Sequence, residues 1–235
     1  MSNTRLAIFD LDGTLLDTVQ DLGNATNYAL ENCGFPKRPI NDYYQLVGRG
    51  IYNLFRGAMQ PRDPETPRIP SEEIEKNVEK MASYFIPYYE QHKCDYTRPY
   101  DGIIEMLDKI SSEGVAIALA SNKYQEGVEI LAAHFFSDFS FLKILGQREG
   151  QPIKPDPAIV GQIMAVDPSI RKEEVVYVGD SNVDMQTGSN AEVRTIGVTW
   201  GFRSREELLA CNPSALSDTP EQLAEEILRP SLSGN

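Results

Sequence analysis

The sequence predicts an α/β protein with a doubly wound, mostly parallel sheet and a helical domain inserted after the first strand. Three observations predict this class. Short apolar runs recur along the chain, segments with helical spacing separate them, and residues 17–93 carry helical patterns only. Strands that alternate with helices form right-handed βαβ units, and such units build Rossmann-like sheets.

The strands are expected to be buried, because a fully apolar run suits a strand that is covered on both faces. The predicted strands are Leu6–Phe9, Val115–Ala120, Phe141–Leu145, Val175–Val178 and Thr195–Val198. The helices between them have apolar residues on one face, as in residues 103–110, 128–135 and 159–164.

The insertion is predicted to contain three helices. They are Asp21–Asn32, Tyr43–Met59 and Glu72–Gln91, with a proline-rich loop at Gln60–Pro70. Pro87 is expected to kink or divide the last helix. The expected domains are therefore an α/β core of residues 1–16 and 94–235 and a helical domain of residues 17–93.

Composition excludes several classes of protein. The chain has 235 residues, of which 41% are hydrophobic and 24% charged, and this balance is typical of a folded domain. Its net charge of −13 argues against nucleic acid or an anionic membrane as a partner. The sequence shows no membrane-helix or signal-peptide pattern, and its three cysteines lack metal-ligand spacing. We expect a reduced, cytoplasmic protein, either a monomer or a homodimer.

The first chemical motif directly follows the first strand. It is Asp10-Leu11-Asp12-Gly13-Thr14, at the strand end where open α/β sheets bind ligands. Two carboxylates so close together need a cation or a shared proton. Gly13 and Thr14 are candidates for binding an anionic substrate, since glycine lets the backbone present N–H groups. The alternative is an ordinary Asp-Gly turn.

Three further segments carry polar residues near strand ends. Ser121 and Asn122 follow the second strand, and Asp180 and Asp184 follow the Val175–Val178 strand. Lys154 comes just before Pro155 and Pro157, which precede a helix. Each has a simpler interpretation: Ser121, Asn122 and Asp180 as helix caps, Asp184 as an acidic residue of a first helical turn, and Lys154 as a surface lysine. Together, however, they supply carboxylates, a lysine and a hydroxyl at one sheet edge. Such a set suits Mg²⁺-assisted phosphoryl transfer through an aspartyl phosphate.

These four motifs, in this order, resemble those of the haloacid dehalogenase superfamily, and the helical insertion resembles its cap domain. The segments Leu46–Gly50 and Ile196–Phe202 resemble the phosphoglycolate phosphatase branch. The resemblance implies that Asp10 is the nucleophile and Asp12 the general acid and base. It also implies that Asp10, the Asp12 backbone carbonyl, Asp180 and Asp184 bind Mg²⁺. Ser121 and Asn122 would hold the phosphate, and Lys154 would balance its charge.

The resemblance therefore predicts a phosphatase acting on a small phosphate ester similar to phosphoglycolate. Another small phosphorylated metabolite (a sugar phosphate, nucleotide or pyrophosphate) and a phosphate-sensing protein without turnover remain alternatives. Related sugar-phosphate mutases carry a histidine beyond the first motif, and the corresponding stretch, residues 21–24, has none. Arg49, between two glycines of the insertion, is a candidate for binding a substrate carboxylate, or else a solvated arginine.

Two positions depart from the family pattern. Glu192 stands where a glycine is common, so positive φ there would be strained. Ile153 stands where a basic residue often precedes the lysine. Both departures weaken the prediction of a particular substrate without touching the proposed chemistry.

Overall fold

The computed structural model describes residues 3–229, and these form two compact units. One unit is the inserted segment Thr18–Arg98, and the described residues on either side of it form the other. Two short strands lie where the chain passes between the units, β2 (Leu16–Asp17) and β3 (Arg98–Pro99). The inserted unit thus ends at Arg98, whereas the sequence suggested residue 93.

The α/β unit is built on a parallel six-stranded sheet. Its strand order is β5-β4-β1-β6-β7-β8, and every pair of neighbours is parallel. The strands are β1 (Leu6–Phe9), β4 (Ala116–Tyr124), β5 (Phe141–Gln147), β6 (Val175–Gly179), β7 (Arg194–Val198) and β8 (Ala215–Ser217). The fold predicted from the sequence is confirmed, although the short strand β8 was not foreseen.

Six helices accompany this sheet. They are α5 (Ile103–Ser112), α6 (Gln125–Phe135), α7 (Ala158–Met164), α8 (Asn182–Asn190), α9 (Arg205–Leu209) and α10 (Pro220–Leu228). Shortly after α8, Glu192 adopts a φ of 61°, so this turn carries the strain of a residue other than glycine at positive φ.

The inserted unit is helical, with α1 (Val19–Cys33), α2 (Tyr43–Leu46), α3 (Ile51–Met59) and α4 (Ser71–His92). The continuous helix predicted for Tyr43–Met59 is wrong. Gly48 and Gly50 have φ values of 112° and 80°, and this left-handed backbone ends α2 before α3 begins. Pro87 does not divide α4. Proline cannot donate to the carbonyl four residues earlier, that of Ser83, and Ser83 lies on the exposed face of the helix.

Within residues 3–229, no helix combines the length and apolar character required to cross a bilayer.

Candidate active site

The sheet topology brings the predicted motifs together. The chain runs from central β1 outward through β4 and β5, then returns to β6 on the other side of β1. This reversal creates a crevice at the carboxyl ends of β4, β1 and β6, where open α/β sheets bind ligands. Asp10 follows β1, Ser121 lies in the last part of β4, and Asp180 follows β6. Three distant segments therefore meet at one point.

Three buried carboxylates form a cluster in this crevice. Asp10, Asp180 and Asp184 each offer an oxygen atom, and these atoms lie within 4.8 Å of one another. Oxygen-only ligands of this kind are those that Mg²⁺ prefers. The cluster is the part of the site best suited to a divalent cation.

Local contacts orient the two carboxylates of the last motif. Asp180 Oδ2 accepts a hydrogen bond from the Phe202 N–H over 2.7 Å, and Oδ1 accepts one from Thr14 Oγ1 over 3.2 Å. Asp184 Oδ2 accepts hydrogen bonds from the Ser181 N–H and hydroxyl over 3.1 Å and 2.6 Å. Ser181, rather than Asp180, is the N-cap of α8. The capping box holds Asp184 in place.

Lys154 lies between two of these carboxylates. Its Nζ is 2.8 Å from Asp10 Oδ1 and 2.7 Å from Asp184 Oδ1, and it donates a hydrogen bond to the Ala120 carbonyl over 3.0 Å. Asn122 braces the lysine backbone, since its Oδ1 accepts from the Lys154 N–H over 2.9 Å and its Nδ2 donates to the Lys154 carbonyl over 3.2 Å. This geometry makes Asn122 a support for Lys154, and a contact of Asn122 with phosphate stays a prediction.

Burial and like charges raise the pKa of two carboxyl groups, those of Asp10 and Asp180. Desolvation, opposed by Lys154 and reinforced by Asp184, raises the pKa of Asp10 to about 7. Desolvation and the charges of Asp184 and Asp10 raise the pKa of Asp180 to about 8. Burial alone would lower the pKa of Lys154, but Asp10 and Asp184 raise it well above its usual value. Lys154 is therefore positively charged. Asp10 and Asp180 have too little positive charge around them to keep their pKa values at the ordinary level.

Gly13 and Thr14 pack closely against this cluster. Gly13 has a φ of 88°, and a Cβ added there would lie 2.5 Å from Asp180 Oδ2. Its N–H donates to the Leu16 carbonyl over 2.8 Å. The Thr14 carbonyl accepts a hydrogen bond from Trp200 Nε1 over 3.0 Å. Both residues thus shape the loop that carries the first motif, and their contact with substrate stays a prediction.

Ser121 and Lys123 are buried at the end of β4. The strand continues to Tyr124 and α6 begins at Gln125, so Ser121 and Asn122 do not open that helix as the sequence suggested. Lys123 Nζ is 3.0 Å and 3.1 Å from the two carboxylate oxygens of Asp12, a pair that the sequence reasoning missed. The sequence does not signal this pair, because the apolar run that predicts β4 ends at Ala120 and the pairing of β4 with β5 is irregular between Ala120 and Tyr124.

Arg49 belongs to the inserted unit. It is exposed, and it occupies the tight connection between α2 and α3. Its carbonyl accepts a hydrogen bond from Asn53 Nδ2 over 2.7 Å. Substrate binding by Arg49 stays a prediction.

Known proteins resemble this chain over most of its length. The family model for haloacid dehalogenase-like hydrolases matches residues 7–198. A phosphoglycolate phosphatase of Agrobacterium fabrum is 33% identical over 202 residues, which cover 84% of this chain and 81% of that protein. A phosphoglycolate phosphatase of Vibrio parahaemolyticus is 30% identical over 222 residues, covering 94% of this chain and 95% of the relative.

A solved structure also resembles this chain over most of its length. A protein of Lactobacillus delbrueckii, provisionally described as a phosphoglycolate phosphatase, superposes with a TM-score of 0.89 at 33% identity. The match covers 96% of this chain and 99% of that one. The chain therefore belongs to the haloacid dehalogenase-like hydrolase family.

Proposed function

We propose that the protein is a magnesium-dependent phosphatase that hydrolyses a small carboxylated phosphate monoester, similar to phosphoglycolate, through an aspartyl phosphate on Asp10. The family and its named relatives indicate a phosphoric monoester hydrolase, which is the enzyme class expected from the sequence.

The balance of charge in the crevice carries the proposal. Among the described residues, the four carboxylates of Asp10, Asp12, Asp180 and Asp184 are accompanied by Lys123 and Lys154 in ion pairs and by Arg203, whose charge lowers the pKa of Asp180. Negative charge is therefore in excess. The raised pKa values of Asp10 and Asp180 have this excess among their causes. Asp10, Asp180 and Asp184 fit a divalent cation, with the Asp12 carbonyl as a further ligand, and Mg²⁺ would supply charge that stabilises the transferring phosphoryl group.

The residues of the site can perform a two-step displacement. Asp10 attacks phosphorus, and the bond to the leaving oxygen breaks while Asp12 gives that oxygen a proton. Asp12 then takes a proton from water as this water attacks the aspartyl phosphate, which releases phosphate and restores Asp10. Lys154 offsets the repulsion between the Asp10 carboxylate and the phosphoryl oxygens. Ser121 is our candidate for binding one of those oxygens.

A substrate panel with and without Mg²⁺ tests this function. We expect phosphoglycolate to be hydrolysed only with the cation, and Asp10→Asn to reduce kcat by on the order of 10³-fold or more, because it removes the nucleophile. Asp108→Asn, an exposed aspartate of α5, is the matched control and should retain full activity. Hydrolysis that survives in Asp10→Asn would refute the covalent route, and tight metabolite binding without turnover would indicate a sensor.

The carboxylate of the substrate requires a cation outside the phosphoryl site, and Arg49 is our candidate because a guanidinium group binds carboxylates bidentately. We expect Arg49→Ala to lower kcat/KM for phosphoglycolate by about tenfold or more. An aryl phosphate without a carboxylate should be nearly unaffected. Equal losses on both substrates would mean that Arg49 supports the fold instead.

A further inference from the structure

The site contains a second buried lysine that the roles above leave unused. Lys123 Nζ contacts both carboxylate oxygens of Asp12, at 3.0 Å and 3.1 Å. Only 2% of the Lys123 side chain and 10% of the Asp12 side chain are exposed. We propose that Lys123 is a positioning residue that orients the Asp12 carboxyl group for proton transfer. This inference rests on the proposed function, in which Asp12 is the acid and base.

The backbone of Lys123 is held as firmly as its side chain. Its N–H donates to Ser121 Oγ over 3.2 Å. Its carbonyl oxygen packs against Gly146 of β5, where an added Cβ would lie 2.6 Å from that oxygen. The pairing of β4 with β5 is irregular between Ala120 and Tyr124, and these two contacts hold the backbone from which the lysine side chain begins. A site residue whose backbone is held in place keeps its orientation better than one on a loop.

Asp12 needs a partner of this kind because it takes no part in the carboxylate cluster formed by Asp10, Asp180 and Asp184. Proton transfer requires heavy atoms within about 2.6–3.2 Å and in line. An ammonium group in contact with both oxygens selects one orientation of the carboxyl group. Each oxygen keeps a free position beside this contact, since a carboxylate has about four acceptor positions. That position can carry the proton given to the leaving group, or accept the proton taken from water.

If Lys123 orients the acid Asp12, the rate lost on replacing Lys123 should depend on the leaving group of the ester. A lysine that only stabilises the fold would not produce this dependence. An alkyl ester needs a proton from Asp12 to leave, whereas 4-nitrophenolate departs as an anion near neutral pH. In the first turnover, we expect Lys123→Met to slow release of the alcohol from an alkyl phosphate by about 10²-fold. Release of 4-nitrophenolate should slow by less than about fivefold, and KM should change little.

A double-mutant cycle with Asp12→Asn completes the test. If Lys123 acts through Asp12, then Lys123→Met should add less than about a twofold further loss on the alkyl ester in the Asp12→Asn background. Rapid-quench measurement of the first turnover isolates the step in which Asp12 is the acid. Lys109→Met, an exposed lysine of α5, is the control and should match the unaltered enzyme.

The possible outcomes separate the two proposals. Equal slowing of both esters, or losses that multiply in the double variant, would overturn the role of Lys123 while leaving the phosphatase intact. Absence of turnover by the unaltered enzyme would overturn both. Should Lys123→Met fail to fold, Lys123→Gln keeps a hydrogen-bond donor without the charge and is measured in its place, with thermal unfolding as a check on both.

Discussion

At the scale of single residues, the raised pKa values of Asp10 and Asp180 predict that the affinity of the proposed site for Mg²⁺ depends on pH. Their pKa values of about 7 and about 8 mean that both hold protons for part of the time near neutral pH. Mg²⁺ must displace these protons, so its affinity should rise between about pH 6 and pH 9, by up to tenfold per pH unit for each proton displaced. Calorimetry in two buffers of different ionisation enthalpy measures the proton release, and an affinity that is flat across this range contradicts the prediction.

The raised pKa values of Asp10 and Asp180 also predict how the stability of the fold depends on pH. The ordinary pKa of an aspartate carboxyl group is 3.8, and the folded protein raises the pKa of both groups above it. Without the cation, these two groups therefore favour the folded state least at high pH, and the stability that they contribute is lost as pH rises from about 4 to about 8. Bound Mg²⁺ should reverse this trend.

Residue types and spacing predicted which side chains meet, because Asp10, Ser121 and Asp180 each stand next to a strand end. They did not predict which atoms pair. The bond of Asn122 to the Lys154 backbone and the pair of Lys123 with Asp12 depend on β4 continuing to Tyr124. Sequence pattern alone locates strand ends poorly, since the apolar run stops before the strand does.

At the scale of elements, the loop after β7 supports the carboxylate cluster. Phe202 and Trp200 donate hydrogen bonds to Asp180 and Thr14. Gly201 lies between them, and a Cβ there would be 2.3 Å from Asp180 Cβ and 2.4 Å from the Gly13 carbonyl oxygen. In the sequence, this loop stands out only because it resembles a segment of the phosphoglycolate phosphatase branch. The composition of the loop does not show which residues it contacts.

We expect Gly201→Ala to displace Asp180, because the added methyl group has no space. This displacement should weaken Mg²⁺ binding by about tenfold. The free energy of unfolding should fall by about 1–3 kcal/mol. Gly161→Ala is the matched control. Gly161 lies within α7 with no atom near the added Cβ, so this change should stabilise by about 0.5–1 kcal/mol. Metal titration and urea unfolding measure both, and an unaltered Mg²⁺ affinity in Gly201→Ala would contradict the bracing role.

At the scale of the whole molecule, the insertion begins and ends at neighbouring points. Asp21, near the start of α1, is buried and accepts hydrogen bonds from the Tyr96 N–H and from the N–H and hydroxyl of Thr97, near the end of the unit. Helical periodicity predicted the helices of this unit. Periodicity could not predict that Tyr96 and Thr97 belong with the insertion, because the contacts that join them to Asp21 span about 75 residues of sequence.

Asp21 therefore joins the start of the inserted unit to its end, and replacing Asp21 should destabilise this unit before it destabilises the sheet. We expect Asp21→Ala to leave the N–H groups of Tyr96 and Thr97 without their partner and to cost about 2 kcal/mol of local stability. Hydrogen exchange should accelerate within Thr18–Arg98, while the amides of β1, β4 and β6 keep their protection, because separate cooperative units open separately. Asp63→Ala, an exposed aspartate of the proline-rich loop, is the control in the same unit. Equal acceleration in the sheet would mean that the two units unfold together, and the insertion would then not be an independent cooperative element.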